Sequence, residues 1–312
     1  MNTIYHFSGA GNDFVVIDGR EGDVSAFRAV PRIEALCKEH KTDGLMILGS
    51  GDASVDFTME FYNPDGSGGM MCGNGGRCIV AFADYLGIEP ACHPELASPC
   101  HPELASSCHP ELAEGSYLFR APDGLHTGEI LARPEDGLWE VRIKMIDVQG
   151  ITPMLGGYFL NTGTRHFVKF VPDVEQVDID TEGKALRWDE AFAPVGTNVN
   201  FVHVAPDGLH VRTFEKGVEG ETLACGTGLT ASAIAAYQIS RLHPAGSARN
   251  DKETDTCEAA LPVISTKAGG RVEKSYRLRA RQDWLSVNFT PGADEKFTDV
   301  YLTGPARLVE IL

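Results

Sequence analysis

The period of apolar positions changes several times along this chain, and each change marks an element. Residues 55–62 alternate cleanly, with Val55, Phe57, Met59 and Phe61 on one face, as a strand with one buried side requires. Trp139, Val141, Ile143 and Met145 repeat that spacing in residues 139–145. Apolar runs predict further strands at 4–8, 12–18, 45–48, 118–121, 125–131, 158–161, 166–171, 198–204, 209–215, 285–289, 300–302 and 306–312. Helical spacing appears at 31–40, which opens on a proline, and at 76–86, which stops before Gly87. It appears again at 182–190 and 228–240. Residues 241–283 are polar and locally basic, with Arg271, Lys274, Arg277, Arg279 and Arg281, and predict a solvated loop or hairpin. The fold class is α/β (α+β) and rich in strands.

Length and composition narrow the picture. At 312 residues the chain can form two modest domains. A formal net charge of −17 argues against a nucleic-acid or anionic-membrane partner, because phosphate binding needs a basic footprint. The N-terminal residues lack a basic, apolar and small-residue leader pattern, and no apolar run reaches membrane-spanning length. A cytosolic protein acting on a small molecule is expected, compatible with a homodimer. The eight cysteines do not form a secreted framework in a chain this long. Cys37 and Cys257 read as plain thiols and Cys78 as a packing residue. Three cysteines belong to an octapeptide repeated three times at residues 92–115 (CHPELASP, CHPELASS, CHPELAEG). Its Cys-His pairs are soft metal ligands, but adjacent ligands lack the looped spacing of a zinc site. An exposed loop insertion is the expectation, and no metal is assigned.

Candidate chemistry sits at two glycine-rich turns. Met71-Cys72-Gly73-Asn74-Gly75-Gly76-Arg77 and Ala224-Cys225-Gly226-Thr227-Gly228 each follow a strand and open an apolar, alanine-containing helical run. A cysteine there meets orphan N–H groups and the positive end of the helix dipole, which lower a thiol pKa and can bind a carboxylate. Aligned on these cysteines, FTMEFYNPDGSGGMMCGNG and HVRTFEKGVEGETLACGTG share the order strand, polar turn, Cys-Gly-x-Gly, helix. Upstream, GAGNDFVVID and GTRHFVKFVP also correspond. The duplication predicts two similar domains related by a pseudo-two-fold axis, each a curled sheet around a central helix, with the active site in the interdomain cleft. Two opposed thiols suit inversion of a stereocentre beside a carboxylate: one removes the α-proton and the other returns a proton to the opposite face. Helix-start N–H groups would stabilise the developing enediolate. Nothing in the pattern demands pyridoxal phosphate, a nucleotide or a metal, so no cofactor is expected.

At these residues the sequence closely resembles the diaminopimelate epimerase family, cofactor-independent enzymes of bacterial and plant lysine synthesis. The carriers are GAGNDFVVID, FYNPDGSGGMMCGNGGRC, GTNVNFVHV, FEKGVEGETLACGTG and VYLTGPA, and N-x-D-G-S-x4-C-G-N-G-x-R at residues 63–77 is specific to that family. The resemblance spans nearly the whole chain apart from the octapeptide segment and much of 241–283. It implies Cys72 and Cys225 as the acid/base thiols interconverting LL- and meso-diaminopimelate, with His166 and Glu215 assisting thiol ionisation. It implies substrate contacts from Asn12, Asn63, Gly73, Asn74, Asn198, Glu215, Gly226 and Thr227. Residues 1–147 with returning strand 299–312 would form one domain, and residues 148–298 the other. Three positions depart from the family pattern. Thr164 replaces a substrate-binding asparagine, Lys216 replaces an arginine that grips the distal carboxylate, and Gly44 stands where some relatives carry glutamine. Lys216 keeps the charge but loses the bidentate fork.

Other readings weigh against this one. Turn or strand-end hydrogen bonding is the plain role for Asn12, Asn63 and Asn198. A core histidine is the plain role for His166, and a solvated charge for Glu215. A proline or hydroxyproline racemase would also use two cysteines but needs no grip on a second amino-acid head. Nucleophilic catalysis by Cys225 beside His166 would leave Cys72 unexplained. A metal-buffering or interaction protein would use the octapeptide repeat instead.

Overall fold

The computed structural model describes residues 3–69, 71–91, 115–242, 263–268 and 271–312. The octapeptide repeat and Cys257 therefore lie outside the described residues. In chain order the elements are β1 (Ile4–Gly9), β2 (Asn12–Asp18), α1 (Val30–His40), β3 (Gly44–Asp52), β4 (Val55–Tyr62), α2 (Gly73–Tyr85), β5 (Ser116–Ala121), β6 (Gly124–Glu135) and β7 (Leu138–Lys144). They continue as β8 (Ile151–Met154), β9 (Gly157–Asn161), β10 (Arg165–Phe170), α3 (Lys184–Arg187), β11 (Asn198–Ala205), β12 (Gly208–Glu215) and β13 (Gly220–Thr222). The last are α4 (Gly226–Leu242), β14 (Val263–Ala268), β15 (Arg271–Arg279), β16 (Trp284–Pro291) and β17 (Phe297–Ile311). Contacts divide the chain into two compact units, Met1–Lys144 with Thr303–Leu312, and Met145–Leu302.

In the first unit the strand ladder closes on itself. β1 pairs β2, β2 runs parallel to β3, β3 pairs β4, and β4 runs parallel to β5. β5 pairs β6, β6 pairs β7, β7 pairs the end of β17, and β17 returns to β1. The closed ring surrounds α2, whose residues from Gly73 to Ala83 are all buried. A helix that is apolar on every side belongs inside a core, and GNGGRCIVAFADY has that character save for Asn74, Arg77 and the acidic end. β2 is buried on both faces at Phe14, Val15, Val16 and Ile17. Val15 and Ile17 pack with Ile33, Leu36 and Cys37 of α1, so β2 is covered twice and shows no alternation. β4 is covered once and alternates buried with half-buried residues along its length.

The second unit repeats this order. β9 pairs β10, β10 runs parallel to β11, β11 pairs β12, and β12 runs parallel to β15 after α4. Short helical turns at Val174–Gln176, Ile179–Gly183 and Glu190–Phe192, with α3 among them, take the place of α1. Val174, Ile179 and Phe192 join Phe167, Val199, Phe201 and Phe214 in one cluster. The helix expected at 182–190 instead runs from the turn at Ile179–Gly183 directly into α3 and ends at Arg187. The Asp189 side chain caps a new turn by accepting the Ala191 N–H, a local bond that competes with helix continuation. The runs expected at 300–302 and 306–312 are one strand, β17, which passes through Gly304 and Pro305 without a break. The basic stretch forms the hairpin β14–β15. Tyr276 and Leu278 point into the core while Arg277 and Arg279 alternate outward.

One carboxylate bonds the chain on both sides of residues 92–114. Asp56 accepts the Ala91 N–H at 2.8 Å through one oxygen and the Leu118 N–H at 2.7 Å through the other.

Candidate active site

Cys72 is the N-cap of α2, with extended backbone (φ −105°, ψ 153°), and its Sγ accepts the Gly75 N–H at 3.2 Å. Its carbonyl accepts the Gly76 N–H at 2.7 Å, the first bond of the helix. Serine, aspartate and asparagine usually fill this position. A sulfur there takes the N–H donor and the dipole's positive end, which favours negative charge on it. The thiol is exposed. A Cβ on Gly75 would stand 3.3 Å from that sulfur and 3.4 Å from Met46 Sδ, so only glycine lets the amide close in without a shift.

Beside this thiol, buried amides are held in one orientation. Arg77 is fully buried and can only donate. Its Nη1 reaches the Gly73 carbonyl at 3.2 Å, its Nη2 the Asn74 Oδ1 at 3.0 Å, and its Nε the Pro305 carbonyl at 3.3 Å. With Oδ1 so engaged, Asn74 donates from Nδ2 to Asn12 Oδ1. Asn12 then donates from Nδ2 to Asp43 Oδ2 at 3.1 Å. The chain from Arg77 to Asp43 runs from cation to anion and fixes Asn74 and Asn12, two of the four asparagines that the sequence had marked. Met71, just before the cysteine, donates its N–H to Asp123 at 3.0 Å. Asn63 lies in the preceding turn, where its Nδ2 donates to Ser67 Oγ at 3.0 Å.

The second unit builds a counterpart from different side chains. The Cys225 carbonyl accepts the Leu229 N–H at 2.9 Å, and its Sγ lies 3.4 Å from Thr227 Oγ1. Cys225 is buried, in contrast to Cys72. Thr227 Oγ1 is 2.9 Å from His166 Nε2, which is also 2.9 Å from Thr164 Oγ1. His166 Nδ1 receives Asn200 Nδ2 at 3.0 Å. The ring is wholly buried, and burial pulls its pKa down to about 3. At neutral pH it is uncharged. A Cβ on Gly228 would fall 2.3 Å from Asn200 Oδ1 and 3.3 Å from His166 Cε1. That clearance explains the second glycine of the Cys-Gly-Thr-Gly turn.

Asn198 spends its amide inside the protein. Nδ2 donates to the Arg165 carbonyl at 2.8 Å, and Oδ1 accepts the Lys216 N–H at 2.8 Å. It therefore ties the Thr164 turn to the Lys216 turn. Arg187, almost wholly buried, adds to that turn by pairing with Glu219, whose Oε1 also accepts the Gly217 N–H at 3.1 Å. Glu215 Oε2 accepts from Thr222 Oγ1 at 2.9 Å, and the Lys216 side chain is exposed. The structure thus gathers Cys72, Gly73, Asn74 and Asn12 at one helix start. It gathers Cys225, Gly226, Thr227, Thr164, His166 and Asn198 at the other. Asn63 and Glu215 bond within their own turns. Sequence reasoning passed over Arg77, Asp43, Arg187 and Asn200. A signal existed for two of them: Arg77 interrupts an apolar helix, and Asn200 shares the strand face of Asn198.

The family model described as diaminopimelate epimerase matches residues 4–92 and 158–261. The chain belongs to the diaminopimelate epimerase family. Relatives named diaminopimelate epimerase include that of Chlorobaculum tepidum, 33% identical over 97% of this chain and 97% of the relative. The Flavobacterium psychrophilum protein is 32% identical over 98% and 97%, and that of Aquifex aeolicus 38% identical over 75% and 80%. Among solved structures, a hydroxyproline epimerase from Agrobacterium vitis aligns with TM-score 0.57 at 14% identity, covering 100% of this chain and 91% of that one. A PhzF-family phenazine biosynthesis protein from Enterococcus faecalis aligns with TM-score 0.55 at 13% identity, covering 100% and 98%. Those two likenesses concern the fold alone. Among the described residues no helix is long and apolar enough to cross a membrane.

Proposed function

We propose that this member of the epimerase family interconverts LL- and meso-diaminopimelate, with Cys72 and Cys225 as a pair of acid/base thiols. The supporting observation is a cysteine at the start of each of two buried helices, α2 and α4, in a chain of this family. Inversion at Cα needs a base on one face and an acid on the other. One thiolate takes the α-proton, the electron pair passes into the carboxylate as an enediolate, and the other thiol returns a proton to the opposite face. The roles exchange with the incoming isomer, and the route uses no cofactor. The N–H groups at Gly73 and Gly226 suit the charge that develops on the carboxylate. Asn12, Asn74, Thr164 and Thr227 are assigned to the reacting amino-acid head, with Asn63 at the turn before Cys72. Asn198 contributes through the two turns it ties together, His166 and Glu215 assist thiol ionisation, and Lys216 supplies charge for the distal carboxylate. The two units act as N-terminal and C-terminal epimerase domains.

The test is solvent-deuterium incorporation at the α-carbon of LL- and meso-diaminopimelate in heavy water. Both isomers should exchange with the wild-type protein, while proline and hydroxyproline should not. Cys72→Ala and Cys225→Ala should each lower interconversion by about 10³-fold or more, given the usual worth of a positioned acid or base. Near-wild-type turnover from either folded variant would overturn the two-thiol assignment.

A further inference from the structure

The hydrogen bonds around His166 have a direction that the positions of the heavy atoms determine. Asn200 is fully buried in β11, and its amide orientation is set by a carbonyl. Nδ2 lies 3.2 Å from the Phe167 carbonyl oxygen, which can only accept. The opposite end, Oδ1, accepts from Thr213 Oγ1 at 3.0 Å. The second Nδ2 hydrogen is left for His166 Nδ1, at 3.0 Å. A ring nitrogen that accepts carries no proton, so the neutral imidazole must carry its hydrogen on Nε2.

That tautomer makes the far side of the ring a donor. Nε2–H has two hydroxyl acceptors at 2.9 Å, Thr164 Oγ1 and Thr227 Oγ1, and these hydroxyls lie 3.2 Å apart. Thr227 is held in place by its carbonyl, which accepts from Thr162 Oγ1 at 2.9 Å. When its oxygen accepts from His166, its own hydroxyl hydrogen is left to donate, with Cys225 Sγ at 3.4 Å and Thr164 Oγ1 at 3.2 Å as acceptors in reach. Among the described residues the polar partners of the ring are Asn200, Thr164 and Thr227, and none is charged.

We infer that Asn200 is a positioning residue: it locks His166 in the Nε2–H tautomer and so aims a one-way chain of donors, Thr213 to Asn200 to His166 to Thr227, at the sulfur of Cys225. A sulfur that receives the last donor is stabilised as the thiolate, because an anion accepts more strongly than a thiol. His166 serves that ionisation by donating a hydrogen bond. It does not take the thiol proton itself, since Nε2 is already protonated and Nδ1 is occupied. Its low pKa, the result of burial, agrees with a ring that stays neutral. The catalytic meaning rests on the acid/base role proposed for Cys225, but the tautomer is a property of the resting protein.

Nitrogen NMR of protein labelled at histidine tests the inference without substrate. The His166 ring, assigned by its loss in His166→Gln, should show a protonated Nε2 and a bare Nδ1 at neutral pH. In Asn200→Asp, an isostere that can only accept, the ring proton should move to Nδ1. Thiolate absorbance, taken as the difference from Cys225→Ala, should then show Cys225 titrating about one pH unit higher or more, as it also should in Thr227→Val. Turnover of Asn200→Asp should fall about 10- to 100-fold, the usual cost of a lost orienting partner, with KM little changed. A wild-type ring protonated on Nδ1 would overturn the inference whether or not any variant folds. So would an Asn200→Asp protein whose tautomer and Cys225 titration are unaltered. Either failure could occur while Cys225→Ala still abolished exchange, so the two assignments fail separately.

Discussion

At the scale of single residues, burial decides what each polar group can do. His166 is neutral in the folded state because burial holds its pKa near 3, whereas an unfolded histidine titrates near 6.5. Between those values the unfolded chain binds the extra proton, so stability should fall as pH drops from about 6.5 toward 3. Chemical unfolding measured across that range should show the slope, and His166→Gln should lose its share of it. Gly228 offers a steric counterpart. A methyl group there would overlap Asn200 Oδ1, so Gly228→Ala should cost about 1–3 kcal/mol, the range for overpacking a filled core. It should also perturb the His166 ring signals. Arg77 serves three oxygen acceptors from a site with no exposure. Arg77→Leu would remove those three donor bonds, at about 1–3 kcal/mol for a buried acceptor left unsatisfied. Denaturant unfolding should register a large loss, and an unchanged midpoint would contradict that role for the guanidinium.

Elements were legible wherever a period was simple. β2 and β4 have the bounds expected from NDFVVID and VDFTMEFY, and α1 begins one residue from its expected start. The two central helices begin at the residue after each cysteine, earlier than expected at 76 and 228. Gly73, Asn74 and Gly75 have poor helix propensity, yet capping by the cysteine and burial override it. What the period could not convey was the direction of side-chain amides, since those bonds join strands far apart in sequence. The two cysteines were legible as a pair, and Asn200 was marked only by sharing the strand face of Asn198, with no sign of its partners. At its far end α2 is held by Asp84. An aspartate near a helix C-terminus opposes the dipole, but here it accepts from Trp139 Nε1 at 2.7 Å, from Arg133 Nε at 2.8 Å and from Tyr117. Burial alone would raise its pKa; the Arg133 and Trp139 bonds outweigh that and hold it below the ordinary carboxylate value. Its contribution is therefore present above about pH 4 and lost as pH falls through the depressed value. Asp84→Asn should lower the unfolding free energy at pH 7 by about 1–3 kcal/mol and by less at pH 3. A difference that grew on acidification would contradict the assignment.

At the scale of the whole molecule, the chain uses one plan twice: a hairpin, a crossover to a parallel strand, a second hairpin, then a buried helix opened by cysteine. The duplication was readable because the helix starts carry short fixed motifs, whereas the strands between them agree only in apolar character. The side chains beside the thiols have diverged, with Asn12, Asn74 and Asp43 in one unit and Thr164, Thr227 and His166 in the other. Asp56 has a consequence of another kind. One carboxylate receives both Ala91 and Leu118, so the two positions are anchored to the same side chain. The exposed insertion expected at residues 92–115 would then vary in its number of octapeptide units at little cost to stability. Variants with one to six units in place of three should differ in stability by about 1 kcal/mol or less, since each doubling of loop length costs about 0.6 kcal/mol. Thermal unfolding of that series, with Asp56→Ala as a version in which the boundary is released, would measure how much tandem expansion the protein can absorb.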